Sequence, residues 1–475
     1  MCRFIFAIIL LALNAETFAM SESVERERVV FKRHAKQKQF LESKKPYVLL
    51  RGGRGSGKTF AGALYAQEKL TRYPEVLGLI AANTYDQLYT FTVAKLMTVL
   101  EMSGIEYVIG KRPPDHWPKY RVLRDYDRIL TVCNGAQARV VSLEKFDTAA
   151  RGGDIGWAWL DETRDTDPSA IGVVLGSFRG YDLVYPDWVY QLRVTTTPNG
   201  FDHIWARFAS NRPERFPDSE DIQCHTADNK AAPGFADRLL GVYSKQLAAQ
   251  EIAGDYINLA TGRAYTFSRE RNASKVLAFN PDLPLTFSLD FNVAPLCGVI
   301  MQVDKKAATI HVLDEIFIPE SAQTKEACRE FVSRCKAWNP KLVMLAGDAS
   351  GKNRTTTTTD TNHSIMIRET KDHFKIQDDF DTCNPTQFSR VQAVNAMLEP
   401  AIGDARLLID PKCENLILDL EQVAFQAGTQ QLAKDDDPSR THMSDAAGYV
   451  CAKHFPIEDG IERARTFGRG GGFFG

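Results

Sequence analysis

The sequence carries nine cysteines but not one C-x-x-C pair; they stand singly at positions 2, 133, 224, 297, 328, 335, 383, 413 and 451. An odd, scattered set excludes a disulfide framework or a cysteine-built zinc site and reads as reduced thiols. Net charge is just as scarce. With 58 basic and 60 acidic residues the balance is −2, so a nucleic-acid partner does not follow from bulk charge, and any basic surface must be local. A membrane-length apolar run is also missing: Phe4 to Leu13 is unbroken but too short to span a bilayer. Arg3 before it and Thr17 and Ala19 after it give it the outline of a signal peptide. Met20, however, opens an ordinary polar start, MSESVERERVV, and residues 1–19 are expected to be an upstream extension of the reading frame or a dispensable tail. What is present is ordinary for a globular protein, 44% hydrophobic and 25% charged residues. A length of 475 residues exceeds what one core usually supports and predicts two domains.

The most specific stretch is Tyr47 to Phe60, YVLLRGGRGSGKTF. Gly52, four residues, then Gly57, Lys58 and Thr59 fit G-x-x-x-x-G-K-[ST], with a strand-like run before and helix formers after. Gly52, Gly53, Gly55 and Gly57, with Arg54 and Ser56 between them, let backbone N–H groups turn toward phosphates at a helix N-terminus. Lys58 then reaches the β- and γ-phosphates of ATP, and the Thr59 hydroxyl ligates Mg²⁺. An exported protein would have no ATP for such a loop, which weighs against the signal-peptide reading. Upstream, Gln37 has an amide that offers both a donor and an acceptor to an adenine edge; a surface glutamine is nearly as good a reading.

Val76 to Ala82 reads as a buried strand and Thr84 to Met102 as a helix; Ile129–Cys133 and Ala138–Leu143 read as strands around an Asn134-Gly135 turn. Ala150 to Glu162, ARGGDIGWAWLDE, looks like a buried parallel strand delivering acids to its carboxyl end. Asp161 is placed to hold the Mg²⁺ shell and Glu162 to polarise the attacking water. Leu192 to Gly200, LRVTTTPNG, brings the hydroxyls of Thr195, Thr196 and Thr197 to a strand end, where they can sense hydrolysis. The alternation predicts a doubly wound parallel sheet, with residues 201–255 as a helical lid.

A second series begins after a connector placed at 256–284. Leu285–Phe291, Gly298–Val303 and Thr309–Ile316 are strand-like, Ala322–Trp338 is helical and Lys341–Ala346 is a fourth strand. Asp290 lies in the first strand, Asp348 at the end of the fourth and Asp445 in a late helix. That order describes a ribonuclease-H-like nuclease domain over 285–456. Clustered carboxylates need cations, and two Mg²⁺ or Mn²⁺ about 4 Å apart would activate water and stabilise a leaving oxygen. His442 shares a helix face with Asp445, and Asp410 reads better as a turn residue than as a spare ligand. Gly351–Ser364, with Lys352 and Arg354, is a polar loop suited to a nucleic-acid backbone, and 457–475 is a flexible tail.

GGRGSGKT, WLDET, TTTPN, the DFN at 290, the GDASG holding Asp348 and the H-x-x-DA at 442, in that order from His34 to Lys453, together resemble the large terminase subunit of tailed bacteriophages. The resemblance implies an ATP-driven motor that cuts concatemeric viral DNA and drives double-stranded DNA into a procapsid. It implies as partners the portal protein, a small terminase subunit and further copies in a ring, with a single subunit when free and no membrane. It places the protein in the bacterial cytoplasm, transiently at the portal. By it, Gln37 matches the adenine-reading position and Thr195–Thr197 the coupling motif. Arg54 and Arg151 are both candidate γ-phosphate arginines, Arg151 being favoured as one that acts on the neighbouring subunit. A helicase or repair ATPase fused to a nuclease is disfavoured because no second helicase core follows, and an assembly protein with a vestigial nuclease because Asp290, Asp348 and Asp445 are intact.

Overall fold

A computed structural model describes residues 32–123, 125–144, 153–181, 185, 187–257, 259, 262–291, 295–320, 323–353, 360–426, 429–433 and 440–457. Residues 1–19, Arg151, Arg354 and the tail beyond 457, on which expectations above rest, lie outside them. Among the described residues no helix is long and apolar enough to cross a membrane.

The first sheet has eight strands: β1 (Tyr47–Gly52), β2 (Gly78–Ala82), β3 (Tyr107–Ile109), β4 (Ile129–Val132), β5 (Gln137–Ser142), β6 (Trp157–Asp161), β7 (Gln191–Thr196) and β8 (Ser219–Cys224). Their order is β3-β4-β5-β2-β6-β7-β1-β8. From β5 to β8 every pairing is parallel, while β3 and β4 add an antiparallel edge. The inner strands β2 and β6 are buried at every position, as a parallel sheet covered on both faces requires. Helix Lys58–Arg72 packs on this sheet through Ala61, Ala63, Leu64 and Ala66.

Two expectations change here. Residues 201–255 are not a lid throughout: Ser219–Cys224 pairs along the full length of β1 and completes the sheet, and the helical lid is confined to Phe235–Leu240, Lys245–Ala248 and the π-helical Ala249–Ala253. The helix expected over 84–102 is interrupted by a π-helical segment, Leu88–Val93.

The second sheet has six strands: β9 (Leu285–Asp290), β10 (Leu296–Asp304), β11 (Thr309–Ile318), β12 (Val343–Gly347), β13 (Ile376–Asp378) and β14 (Leu407–Ile409), in the order β13-β12-β9-β10-β11-β14. β9, β10 and β11 form an antiparallel meander, and β12 returns parallel beside β9 after helix Thr324–Cys335. This is the ribonuclease-H-like arrangement. Helix His442–His454 lies across β9 and is pinned there by a 2.7 Å hydrogen bond from Ser288 Oγ to the Ala446 carbonyl. The connector is shorter than 256–284. Ala264 and Tyr265 are buried in this domain's core, and the Asn272 amide donates to the carbonyls of Leu398 and Leu407.

Candidate active sites

The first site lies at the carboxyl ends of β1, β6 and β7. Lys58 Nζ, almost wholly buried, is 3.2 Å from the Gly53 carbonyl, 3.0 Å from Thr197 Oγ1 and 3.6 Å from Glu162 Oε1. Thr59 Oγ1 donates to Asp161 Oδ1 at 3.3 Å, and Thr195 Oγ1 donates to the same oxygen at 2.6 Å. Burial and the neighbouring Glu162 charge lift the Asp161 carboxyl to about 6, against the hydrogen bonds of Thr195 and Thr92 and the charge of Lys58. Glu162 is in the left-handed region at φ 47°, ψ 58°, a strained backbone for a non-glycine residue. Its N–H donates to the Thr195 carbonyl at 2.7 Å and its carboxylate accepts from the Thr197 N–H at 3.4 Å. The three threonines therefore do different things: Thr195 holds Asp161, Thr197 holds both Lys58 and Glu162, and the Thr196 hydroxyl meets the Thr197 carbonyl.

Gln37 is close to the loop, but both ends of its amide are engaged. Nε2 donates to the Gly57 carbonyl at 2.9 Å and Oε1 accepts from the His34 N–H at 3.2 Å. Arg54 is drawn to the lid, its Nε 3.0 Å from Glu251 Oε2, while Arg164 Nη1 is 3.0 Å from the other Glu251 oxygen. Burial alone would raise Glu251, but the two arginines outweigh it and hold the carboxyl below its ordinary range. Thr92, from the π-helical segment, donates to Asp161 Oδ2 at 2.8 Å. Arg164, Thr92 and Glu251 belong to no motif, and no sequence signal would have found the last two.

The second site gathers Asp290 at the end of β9, Asp348 just after β12, and Asp445 one turn into helix His442–His454. Gly347 at φ 143° delivers Asp348, in a conformation only glycine adopts readily; a Cβ there would meet the Leu289 carbonyl. Thr441, a β-branched residue at φ 79°, delivers His442. His442 Nδ1 is 2.9 Å from Asp290 Oδ2. Burial raises the Asp290 pKa, the His442 hydrogen bond opposes this, and the charges of Asp445 and Asp348 push it up further. Asp348 accepts from Asn384 Nδ2 at 2.6 Å and from the Ser350 N–H at 2.7 Å. Asp445 accepts from Arg390 Nη2 at 2.5 Å. Among the described residues no three His, Cys, Asp or Glu side chains are grouped so as to hold a metal by themselves. Asp290 and Asp445 are nonetheless buried and Asp348 half-buried, and three carboxylate donors suit a hard cation completed by water and substrate phosphate. Asp410 accepts from the N–H groups of Leu277 and Lys412, a structural turn as expected. Lys352 Nζ is tied to the Thr382 carbonyl, and the polar loop ends at helix Asn362–Thr370.

Residues 49–272 match the family model described as the terminase large subunit, T4likevirus-type, N-terminal. Over that stretch the chain is similar to the large terminase family. No curated protein sequence matches this chain. Among solved structures it is similar to the large terminase from a thermophilic bacteriophage, with a TM-score of 0.53 at 14% identity over 89% of this chain and 99% of that one. The same phage protein in complex with ADP gives 0.52 at 15% identity over 89% and 99%, and in complex with ATP-γ-S 0.51 at 14% over 89% and 99%. At that identity the likeness is one of fold.

Proposed function

We propose that this chain is the motor subunit that hydrolyses ATP to move double-stranded viral DNA into a procapsid, and that it cuts concatemeric DNA with its second domain. One observation carries the reading: a single chain holds a phosphate loop with Glu162 beside Lys58 and, on a separate sheet, Asp290 and Asp348 at the ends of the neighbouring strands β9 and β12, with Asp445 one turn along the helix whose His442 meets Asp290. The nucleotide complexes of the thermophilic phage protein agree with it.

In the ATPase domain the loop N–H groups cradle the phosphates and Lys58 neutralises the β- and γ-phosphates. Thr59 and Asp161 would hold Mg²⁺, which would supply charge neutralisation at the phosphates. Glu162 takes the proton of the attacking water, and its bond to the Thr197 N–H gives the threonine strand a direct link to that event. Gln37 reads adenine by exchanging one of its present partners for the base. Arg151 acts on the neighbouring subunit's γ-phosphate, as a ring of heterologous contacts permits. In the nuclease domain Asp290, Asp348 and Asp445 would hold two Mg²⁺ or Mn²⁺, which would supply water activation and charge stabilisation at the leaving oxygen; His442 fixes the Asp290 carboxylate. The partners are the portal protein and a small terminase subunit, in the cytoplasm of the bacterial host.

The test is ATP-dependent DNA uptake into purified procapsids beside plasmid cutting in Mg²⁺ or Mn²⁺. Lys58→Ala is expected to abolish uptake and keep cutting, and Asp290→Ala to lose cutting. Equal cutting by wild type and Asp290→Ala would remove the nuclease assignment, and uptake by Lys58→Ala the motor. Mixing Arg151→Ala with Lys58→Ala subunits should restore part of the ATPase activity; no rescue at any ratio counts against an arginine shared between subunits.

A further inference from the structure

One side chain at the nuclease centre belongs to none of the motifs. Arg390, on helix Gln387–Leu398, places Nη2 2.5 Å from Asp445 Oδ1, with side-chain exposures of 7% and 4%. The approach is built into the fold. Gly448, one turn beyond Asp445, leaves room for the arginine stem: a Cβ there would stand 2.7 Å from Arg390 Cγ and 2.9 Å from Cδ. The Tyr449 ring flanks the guanidinium, its centroid 4.7 Å from Cζ. His442, one turn before Asp445 on the same helix, meets Asp290 at 2.9 Å, and the Asp348 N–H donates to the carbonyl of Leu289, next to Asp290, at 3.1 Å, so the arginine stands on the side of the three acids.

A guanidinium does not lose its proton in a protein. It therefore sets a permanent positive charge against the third acid and occupies one of its oxygens. A divalent cation entering beside it meets repulsion that a low-dielectric, buried setting strengthens. An incoming phosphodiester brings the negative charge that offsets this repulsion.

We propose that Arg390 is a positioning residue that gates metal entry to the nuclease centre, its charge beside Asp445 keeping divalent metal weakly bound until a phosphodiester arrives. The proposal rests on the reading of Asp290, Asp348 and Asp445 as the metal site.

The experiment measures Mn²⁺ binding to the full chain by electron paramagnetic resonance without DNA, counting only the ions lost in Asp290→Asn. Arg390→Gln is expected to bind about tenfold more tightly than wild type, and Arg390→Lys, which keeps the charge, to stay within about threefold. Because Arg390→Gln leaves a buried carboxylate without its cation, a neutral pair is run beside it: Arg390→Gln/Asp445→Asn should bind more tightly than Asp445→Asn alone. A cleavage-resistant phosphorothioate duplex should tighten Mn²⁺ binding more in wild type than in Arg390→Gln. Equal or weaker binding in both Arg390→Gln comparisons overturns the proposal and leaves the nuclease reading intact. No Mn²⁺ bound by wild type, or none lost in Asp290→Asn, overturns both.

Discussion

Asp161 meets three hydroxyls and a lysine within one site, and its carboxyl still lies near 6. Burial wins because each hydrogen bond returns less than the desolvation of the charge takes. The sign follows from linkage: a carboxyl raised in the fold binds its proton more readily there than in the unfolded chain. It subtracts stability as pH rises from about 4 through about 6. Under the proposed role of Asp161, Mg²⁺ binding would require the ionised form and reverse the preference. Mg²⁺-dependent ADP affinity is therefore expected to fall below about pH 6, by up to about tenfold per unit, more steeply than in Asp161→Asn. Calorimetric titrations from about pH 7.5 to pH 5 check this; parallel slopes in the two proteins would exclude Asp161 as the titrating group. Lys58, Thr59, Asp161 and Glu162 were legible because their motifs are local. Arg390 and Asp445 are 55 residues apart, Thr92 and Asp161 69, and Arg54 and Glu251 197. Only the folded topology brings such pairs together.

The elements that escaped the sequence are those whose pattern is carried by few residues. Strand Ser219–Cys224, SEDIQC, buries only Ile222 and Cys224, so its alternation is too short to stand out among helical neighbours, yet it closes the sheet edge beside β1. The π-helical segment is hidden for the opposite reason. Leu88 and Val93 are buried beside Leu96 and Val99 as in an uninterrupted amphipathic helix, and nothing in that spacing announces the extra residue that turns Thr92 inward. Its use is visible in the Thr92 hydroxyl on Asp161 Oδ2. Thr92→Val keeps the shape and removes the donor, leaving a buried carboxylate oxygen short of a partner at about 1–3 kcal/mol. Urea unfolding of the free chain should register that loss at pH 7, and less of it at pH 5, where the carboxyl carries its proton. An undiminished deficit at pH 5 would assign the loss to packing in the segment rather than to Asp161.

At the scale of the molecule, the order of two sites on one chain was legible because each announces itself at strand ends, whereas the seam between the two domains was not, being made largely of backbone. The Lys245 N–H donates to the Glu399 carbonyl at 3.1 Å, the Ala401 N–H to the Tyr243 carbonyl at 2.9 Å, and Ser244 bridges to Pro400. Ala401 also packs on the lid cluster of Leu239, Tyr243, Leu247, Ala248 and Ile252. On one side of this seam the lid continues to Glu251, which grips Arg54 of the phosphate loop. On the other, residue 399 caps the helix that carries Arg390. A ligand that binds only the folded ATPase domain stabilises it by about 2.7 kcal/mol at a hundredfold excess over Kd, and elements that open together with that domain share the gain. ADP is therefore expected to slow amide hydrogen exchange in helix Gln387–Leu398 as well as in the lid. Ala401→Asp places a charge against the apolar cluster, where burial is costly, and should part the seam while leaving both sheets folded. In that variant ADP should still protect the lid and no longer protect the Arg390 helix. Protection of that helix to the same extent in both proteins, or in neither, would mean that the two domains open independently of this contact, and that nucleotide state reaches the nuclease centre by another route or not at all.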